Sequence, residues 1–212
     1  MAPPMLPLIN PDKLPKPFDH AGWVFEVKFD GFRAAADTVH GRLISRNGNQ
    51  MHRFDRVLDL LPKGHVFDGE LVVLDDAGRP RFKELLFRRG QPTYVAFDLL
   101  IANGTDLRPW PLAQRKAELA RIGEGAKGWI ALTNGVIGEG RALYRAVVDA
   151  DLEGIVAKRL TDPYRPTLTR WHKVLNRTYS QRQGRAEWFL QRQGRYHPPA
   201  NQQDRRVTTQ LP

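Results

Sequence analysis

Eight short runs of apolar and β-branched residues recur through this chain, at 22–29, 32–38, 41–46, 65–74, 93–100, 129–133, 153–158 and 170–175. Turn signals stand between several of them, at His40-Gly41, Asn47-Gly48 and Asp76-Ala77-Gly78. Helical patterns are fewer, covering 54–61, 82–88, 112–122 and 138–150. Hairpin-spaced strands with scattered helices predict an α+β fold of mainly antiparallel sheets flanked by helices, not a doubly wound sheet. A chain of 212 residues that is 41% hydrophobic can bury one core of ordinary size with a small appendage.

The organisation follows from where that pattern starts and stops. Residues 1–20 are punctuated by proline and are expected to lie extended over the domain, which occupies 21–176. From 177 to 212 the chain becomes a basic, Gln/Arg-rich tail in which Gln-Arg-Gln-Gly-Arg occurs at 181–185 and again at 191–195. One or two amphipathic turns are expected at 185–192, through Trp188, Phe189 and Leu190, and disorder in the remainder. The tail reads either as a nucleic-acid arm or as a frayed end.

Charge and composition narrow the function. A net charge of +10 favours a polyanionic partner, since each cation placed on a phosphate releases counterions, although a generally basic soluble protein has the same balance. With no cysteine, the chain has neither thiolate nucleophiles nor disulfides, and its six histidines show no close ligand spacing. It has no charged leader and no apolar run of membrane-spanning length, so a soluble, cytoplasmic protein is expected, with no membrane partner.

The chemistry concentrates in Glu26-Val27-Lys28-Phe29-Asp30-Gly31-Phe32-Arg33. Alternation places Trp23, Phe25, Val27 and Phe29 on one side of a half-buried strand and Val24, Glu26, Lys28 and Asp30 on the other. Gly31 is expected to let the chain turn tightly beside a ligand. Ser45-Arg46-Asn47-Gly48 ends a strand in a hairpin suited to a phosphate. In Phe67-Asp68-Gly69-Glu70 two carboxylates share a face of an otherwise apolar strand, which is costly unless a ligand, metal or cation meets them. Phe97, within Ala96-Phe97-Asp98, is either core or a flat surface for a purine. Glu153-Gly154-Ile155-Val156-Ala157-Lys158 opens a strand with a carboxylate, and Trp171-His172-Lys173 sets a lysine on a late one.

This ordered series resembles the covalent nucleotidyltransferase superfamily, and most closely the adenylation domain of ATP-dependent DNA ligases. Pro17-Phe18-Asp19, Tyr164-Arg165-Pro166, Tyr179-Ser180-Gln181 and Gly184-Arg185 are similar to the bacterial ligase-D type used in end joining. The resemblance implies ATP and Mg2+ as cofactors, with Lys28 attacking the α-phosphate and retaining AMP. It further implies Lys173 as a catalytic phosphate cation and Glu153, with Glu70, as the metal ligands. Glu70 would also bind the ribose, Glu26 would lie near the adenine amino group, Phe97 would stack on the base, and Lys158 would contact the nucleotide. Arg33, Ser45 and Arg46 would face the nucleotide and the 5′-phosphate of double-stranded DNA with nicks or ends.

Two features depart from that family. The family's last motif carries Lys-x-Lys, whereas Lys173 is followed by Leu175; Arg177 and Lys158 are the cations offered as replacements. The tail is also too short and polar for the OB-fold domain such ligases carry, so a reduced ligase, a fragment or one half of a split enzyme is expected. An end-joining partner or one bearing an OB fold would complete it. An RNA ligase or capping-type enzyme is the alternative chemistry. A degenerate adenylation fold that binds DNA ends or a repair partner is the alternative without chemistry.

Overall fold

The computed structural model describes residues 7–124, 130–132, 135–182 and 185–192. It contains β1 (Asp12–Lys13), β2 (His20–Val27), β3 (Phe32–Asp37), β4 (Arg42–Ser45), β5 (His65–Val72), β6 (Thr93–Ala102) and β7 (Thr105–Asp106). Further along are β8 (Ile130–Leu132), β9 (Val136–Gly138), β10 (Gly154–Arg159) and β11 (His172–Leu175). The α-helices are α1 (Phe82–Leu86), α2 (Leu112–Gly123), α3 (Gly140–Asp149) and α4 (Arg185–Arg192). His52–Leu60, expected to be helical over 54–61, forms a 3₁₀ helix.

The strands form two sheets, one ordered β1-β11-β10-β2-β9 and the other β4-β3-β5-β6-β7, with β8 beside β6. Pairing is antiparallel except for β1 on β11 and β8 on β6. The extended N-terminal segment therefore enters a sheet instead of only crossing its surface. Strand β9 falls partly where a helix over 138–150 was expected; that helix begins at Gly140. The expected strand at 129–133 is present at 130–132, its two end residues lying outside the described set. The expected turns at 185–192 form α4, and the reading of the tail beyond 192 also lies outside the described residues.

Three apolar layers hold these sheets. One face of the β2–β10–β11 sheet buries Trp23, Phe25, Ile155, Ala157 and Val174 against Val147 of α3. The β3–β5–β6 sheet packs Ala34, Ala36, Phe67, Leu71 and Leu99 against Phe54 and Leu58 of the 3₁₀ helix, Leu85 of α1 and Leu119 of α2. Between the sheets, Ile9, Val66, Leu100, Tyr164 and Trp171 gather Phe97 and Val156 around them. The expectation of a half-buried β2 is corrected: Val24 and Glu26, on the supposedly open side, are 0% and 2% exposed. Among the described residues no helix is long and apolar enough to cross a membrane.

Candidate active site

The layer between the sheets places the charged residues of both in one cleft. On β2, Glu26 pairs in register with Val156 of β10, which in turn pairs with Lys173 of β11. Side chains two residues apart share a face, so Glu26, Lys158 and Lys173 point from one sheet toward the other. On the facing sheet Arg33 of β3 is opposite Glu70 of β5, and Ala35 is opposite Asp68.

Lys28 lies just beyond the end of β2, where its backbone N–H donates to Gly154 O at 2.9 Å. Its Nζ donates to Glu153 Oε2 at 2.7 Å, with both side chains partly exposed. The nucleophile candidate and the carboxylate at the start of β10, 125 residues apart, are thus held together by paired strand ends. Gly31 has a different role from the one expected of it. It is absent from the positive-φ positions, and a Cβ there would stand 2.0 Å from Leu71 O and 2.9 Å from Val72 Cγ1. Glycine is required by the close approach of β5, not by a left-handed turn. Asp30 is buried beside it and accepts from Tyr179 Oη at 3.1 Å.

Arg33 is oriented by Asp68. Its Nε and Nη2 donate to Asp68 Oδ1 and Oδ2 at 2.6 and 2.7 Å, and Tyr164 Oη donates to Oδ2 at 2.7 Å. Tyr164 Oη in turn accepts from Ile9 N at 3.1 Å, tying down the N-terminal segment. The cation that meets the buried Asp68 is therefore Arg33. Burial and the Asp68 charge together keep the Tyr164 hydroxyl protonated well above its ordinary range. Among the described residues Glu70 has no such anchor. Burial pushes its carboxyl up to about 7, against the pull of Lys28 and Arg33 and with the help of Glu153 and Asp30.

At the inner end of the cleft, Glu26 stands between two ammonium groups. Lys158 Nζ is 2.5 Å from Oε2, and Lys116 Nζ of α2 pairs with Oε1. Burial works to raise the Glu26 carboxyl, but Lys158 and Lys116 outweigh it and hold it below the usual range. Lys158 is shifted down by burial and by Lys116, with Glu26 opposing. Phe97 is half-buried; Arg33 Cζ and Lys158 Nζ are 4.5 and 4.3 Å from its ring centroid. A base stacked there shares or displaces one of those cations.

At the outer end, Lys173 is shifted down by burial and then by the neighbouring charges of Lys28 and Arg46. Arg46 is exposed at the β4 hairpin, and Ser45 is half-buried with its Oγ accepting from Asn49 N at 3.1 Å. A cavity of about 310 Å³ adjoins them, lined by Pro7, Leu8, Ala35, Ile44 and residues 45–48. Leu175 shares the face of Lys173, opposite Gly154. Of its two sequence-offered replacements, Lys158 is committed to Glu26 at the other end and Arg177 is exposed.

Sequence reasoning missed Lys116. A signal existed, because Lys116 is four residues after Leu112 and three before Leu119, both buried, so it occupies the apolar face of its helix. A lysine there calls for a buried partner.

A family profile described as ATP dependent DNA ligase domain matches residues 4–174. The chain is 29% identical over 178 residues to the SPbeta prophage-derived DNA ligase-like protein LigB of Bacillus subtilis, covering 78% of this chain and 66% of that protein. It is 35% identical over 156 residues to the multifunctional non-homologous end joining protein LigD of Pseudomonas aeruginosa, covering 68% of this chain and 19% of that one. A mycobacterial DNA ligase D structure complexed with ATP and MES superposes with a TM-score of 0.65 at 27% identity, over 78% of this chain and 60% of that chain. The chain thus spans less than two thirds of each.

Proposed function

This chain belongs to the family of ATP-dependent DNA ligase domains, and on that premise we propose that it performs the nucleotidyl-transfer chemistry of a DNA ligase in the repair of nicked or broken duplex DNA. Lys28 Nζ forms a bond to the α-phosphorus of ATP as the bond to pyrophosphate breaks and the nitrogen gives up its proton. AMP passes from Lys28 to the 5′-phosphate at a nick, and the adjacent 3′-hydroxyl then displaces it to join the strands. The observation that carries this reading is the convergence on Lys28. Glu153 accepts its hydrogen bond at 2.7 Å, and Lys28 in turn perturbs Glu70 and Lys173.

Each neighbour has a task in that chemistry. Glu153 fixes the Nζ position. Lys173 and Arg46 meet the charge of the transferring phosphoryl group, and Arg33, locked by Asp68, meets the nucleotide or the 5′-phosphate with a fixed guanidinium. Ser45 and the basic hairpin contact the DNA backbone. Glu70 accepts from the ribose, and Phe97 carries the base. The carboxylates suit Mg2+: Glu153 and Glu70 act on each other electrostatically, and among the described residues no cluster of three acidic or histidine ligands exists. Mg2+ characteristically takes one or two carboxylates and completes its shell with substrate phosphates and water. Bound there, it would supply charge neutralisation on the triphosphate.

Incubation with radiolabelled ATP and Mg2+ tests this. A covalent adduct abolished by Lys28→Ala, and chased by nicked DNA in preference to nicked RNA, is expected; wild-type protein that takes no label would overturn it. Leu175 favours a second reading, a duplex-binding module without transfer. That reading requires salt-sensitive DNA binding that survives Lys28→Ala together with no sealed product.

A further inference from the structure

The transfer chemistry gives no task to Tyr179-Ser180-Gln181, one of the runs by which the chain is similar to the ligase-D type. Its first two residues lie against the loops that carry Lys28 and Glu153. Asp30, two residues after Lys28, accepts from Tyr179 Oη at 3.1 Å. Asp151, two residues before Glu153, accepts from Ser180 N at 2.9 Å and pairs with Ser180 Oγ. Asn176 grips the same loop by its backbone: its N–H donates to Glu153 O at 2.9 Å and its Nδ2 to Leu152 O at 3.0 Å. Asn176 Oδ1 accepts from Thr178 N and Oγ1 at 3.0 and 2.8 Å, a local turn that precedes Tyr179. Residues 176–180 thus tie together two loops whose reactive side chains are 125 residues apart in sequence.

Both of those side chains sit just outside regular structure, since β2 ends at Val27 and β10 begins at Gly154. Strand ends open locally unless contacts beyond the ladder hold them. Asp30, Asn176 and Tyr179 are 2%, 3% and 4% exposed, so their hydrogen bonds form away from water. A buried carboxylate needs donors, and a hydroxyl donating to it is a strong, directional tether. In the proposed transfer Lys28 Nζ has to be held about 3–3.5 Å from the α-phosphorus, and a misplacement of about 1 Å costs about 100-fold in rate. A small shift of the Lys28 loop is therefore read directly in the chemistry.

Resting on the adenylation reading above, we propose that Tyr179 is a positioning residue for the nucleophile. Through Asp30 it fixes the Lys28 loop, while Asn176 and Ser180 fix the Glu153 loop, so that 176–180 form a clasp that keeps Lys28 on its carboxylate. A tyrosine that only filled space would be equally buried, and removing its hydroxyl alone separates the two roles.

Single-turnover adduct formation by the full chain with radiolabelled ATP and Mg2+ gives two quantities: the amplitude counts competent molecules and the rate constant reports the geometry at Lys28. Tyr179→Phe keeps the ring and should lower the rate constant at saturating ATP about 10-fold, with the amplitude and the ATP dissociation constant within about 2-fold of wild type. Asp30→Ala should lower the rate at least as far, and the double variant should lose no more than Asp30→Ala alone, because both substitutions remove the same bond. A reduced amplitude at an unchanged rate constant would leave Tyr179 a folding role and overturn the proposal, as would losses that multiply in the double variant. Amide hydrogen exchange supplies a readout that needs neither chemistry nor Asp30→Ala. The Lys28 N–H, which donates to Gly154 O, should exchange about 10-fold faster in Tyr179→Phe relative to the amides of the buried strand β6. If wild-type protein takes no label and this exchange is faster, the catalytic reading falls and the positioning of Lys28 stands. If wild-type protein is labelled and Tyr179→Phe changes neither rate nor exchange, this inference alone falls.

Discussion

Replacing Asp68 by asparagine preserves the side-chain shape and removes the charge that orients Arg33. In the native site Asp68 is fully buried and accepts from Arg33 at 2.6 and 2.7 Å and from Tyr164 at 2.7 Å. Asparagine keeps one accepting oxygen and turns an amide NH2 toward a guanidinium or a hydroxyl that also donates. Two unit charges about 4 Å apart at an effective dielectric near 20 attract by about 4 kcal/mol. Removing one partner of a buried pair costs about 3–5 kcal/mol. Arg33 retains 16% side-chain exposure, so water can recover part of its solvation and the lower end, about 3 kcal/mol, applies. For a domain of this size that is a fall of about 6–12 °C in melting temperature. Tyr164→Phe removes one hydrogen bond to the same carboxylate and should cost only about 1 kcal/mol. Melting curves of the two variants decide the matter: if Asp68→Asn melts within about 2 °C of wild type, or Tyr164→Phe costs as much, the Asp68 charge does not hold Arg33.

The pH dependence of stability tests Glu70. Between its ordinary 4.5 and about 7 the folded protein binds more protons than the unfolded chain, so stability falls as pH rises, by up to about 1.4 kcal/mol per unit. Urea titrations in EDTA from pH 5 to 8 should show that slope in wild type and lose it in Glu70→Gln; identical slopes would refute the assignment. Leu175→Lys should raise single-turnover adduct formation about 10-fold or more by adding a cation beside Lys173, and an unchanged rate would mean that another group already meets the α-phosphate. Gly31→Ala forces a Cβ against the Leu71 carbonyl and should cost about 1–3 kcal/mol. It should also slow adduct formation beyond that loss of folded protein, as measured at saturating ATP.

The strands were legible because their periodicity is local, and the partners of their charged residues were not, because those are set by pairing across the chain. Asp68 could be read as a buried carboxylate in need of company, but its partner Arg33 is 35 residues away on the adjacent strand. The tight spacing around Lys28 was legible as a motif, while the reason for Gly31 lay in the approach of Leu71. The alternation of β2 predicted an open face, but Val24 and Glu26 on it are buried, Glu26 between Lys158 of β10 and Lys116 of α2. Strand β9 was overlooked since Val136–Gly138 is too short for either periodicity to register. Lys116 could have been found by asking why a lysine occupies the apolar face of α2.

The departure at Leu175 gains a sharper meaning from how charge is distributed along the cleft. At the inner end the Glu26 carboxylate is spoken for twice, by Lys116 and Lys158, and the Phe97 ring stands beside Lys158. At the outer end Lys28 is paired with Glu153, and Lys173 and Arg46 share the field in which the phosphates would lie. On the proposed transfer reading, Leu175 in place of the lysine that the resemblance implies would therefore remove charge only from the end where bonds would change. Interactions at the base contribute equally to bound substrate and transition state, whereas cations at the transferring phosphoryl group act most where charge develops. The expected signature is nucleotide affinity in the family's ordinary style combined with slow transfer, a loss in rate more than in binding. A general collapse of the site would weaken both together, so the ratio of the two separates a specialised phosphate end from a failing fold.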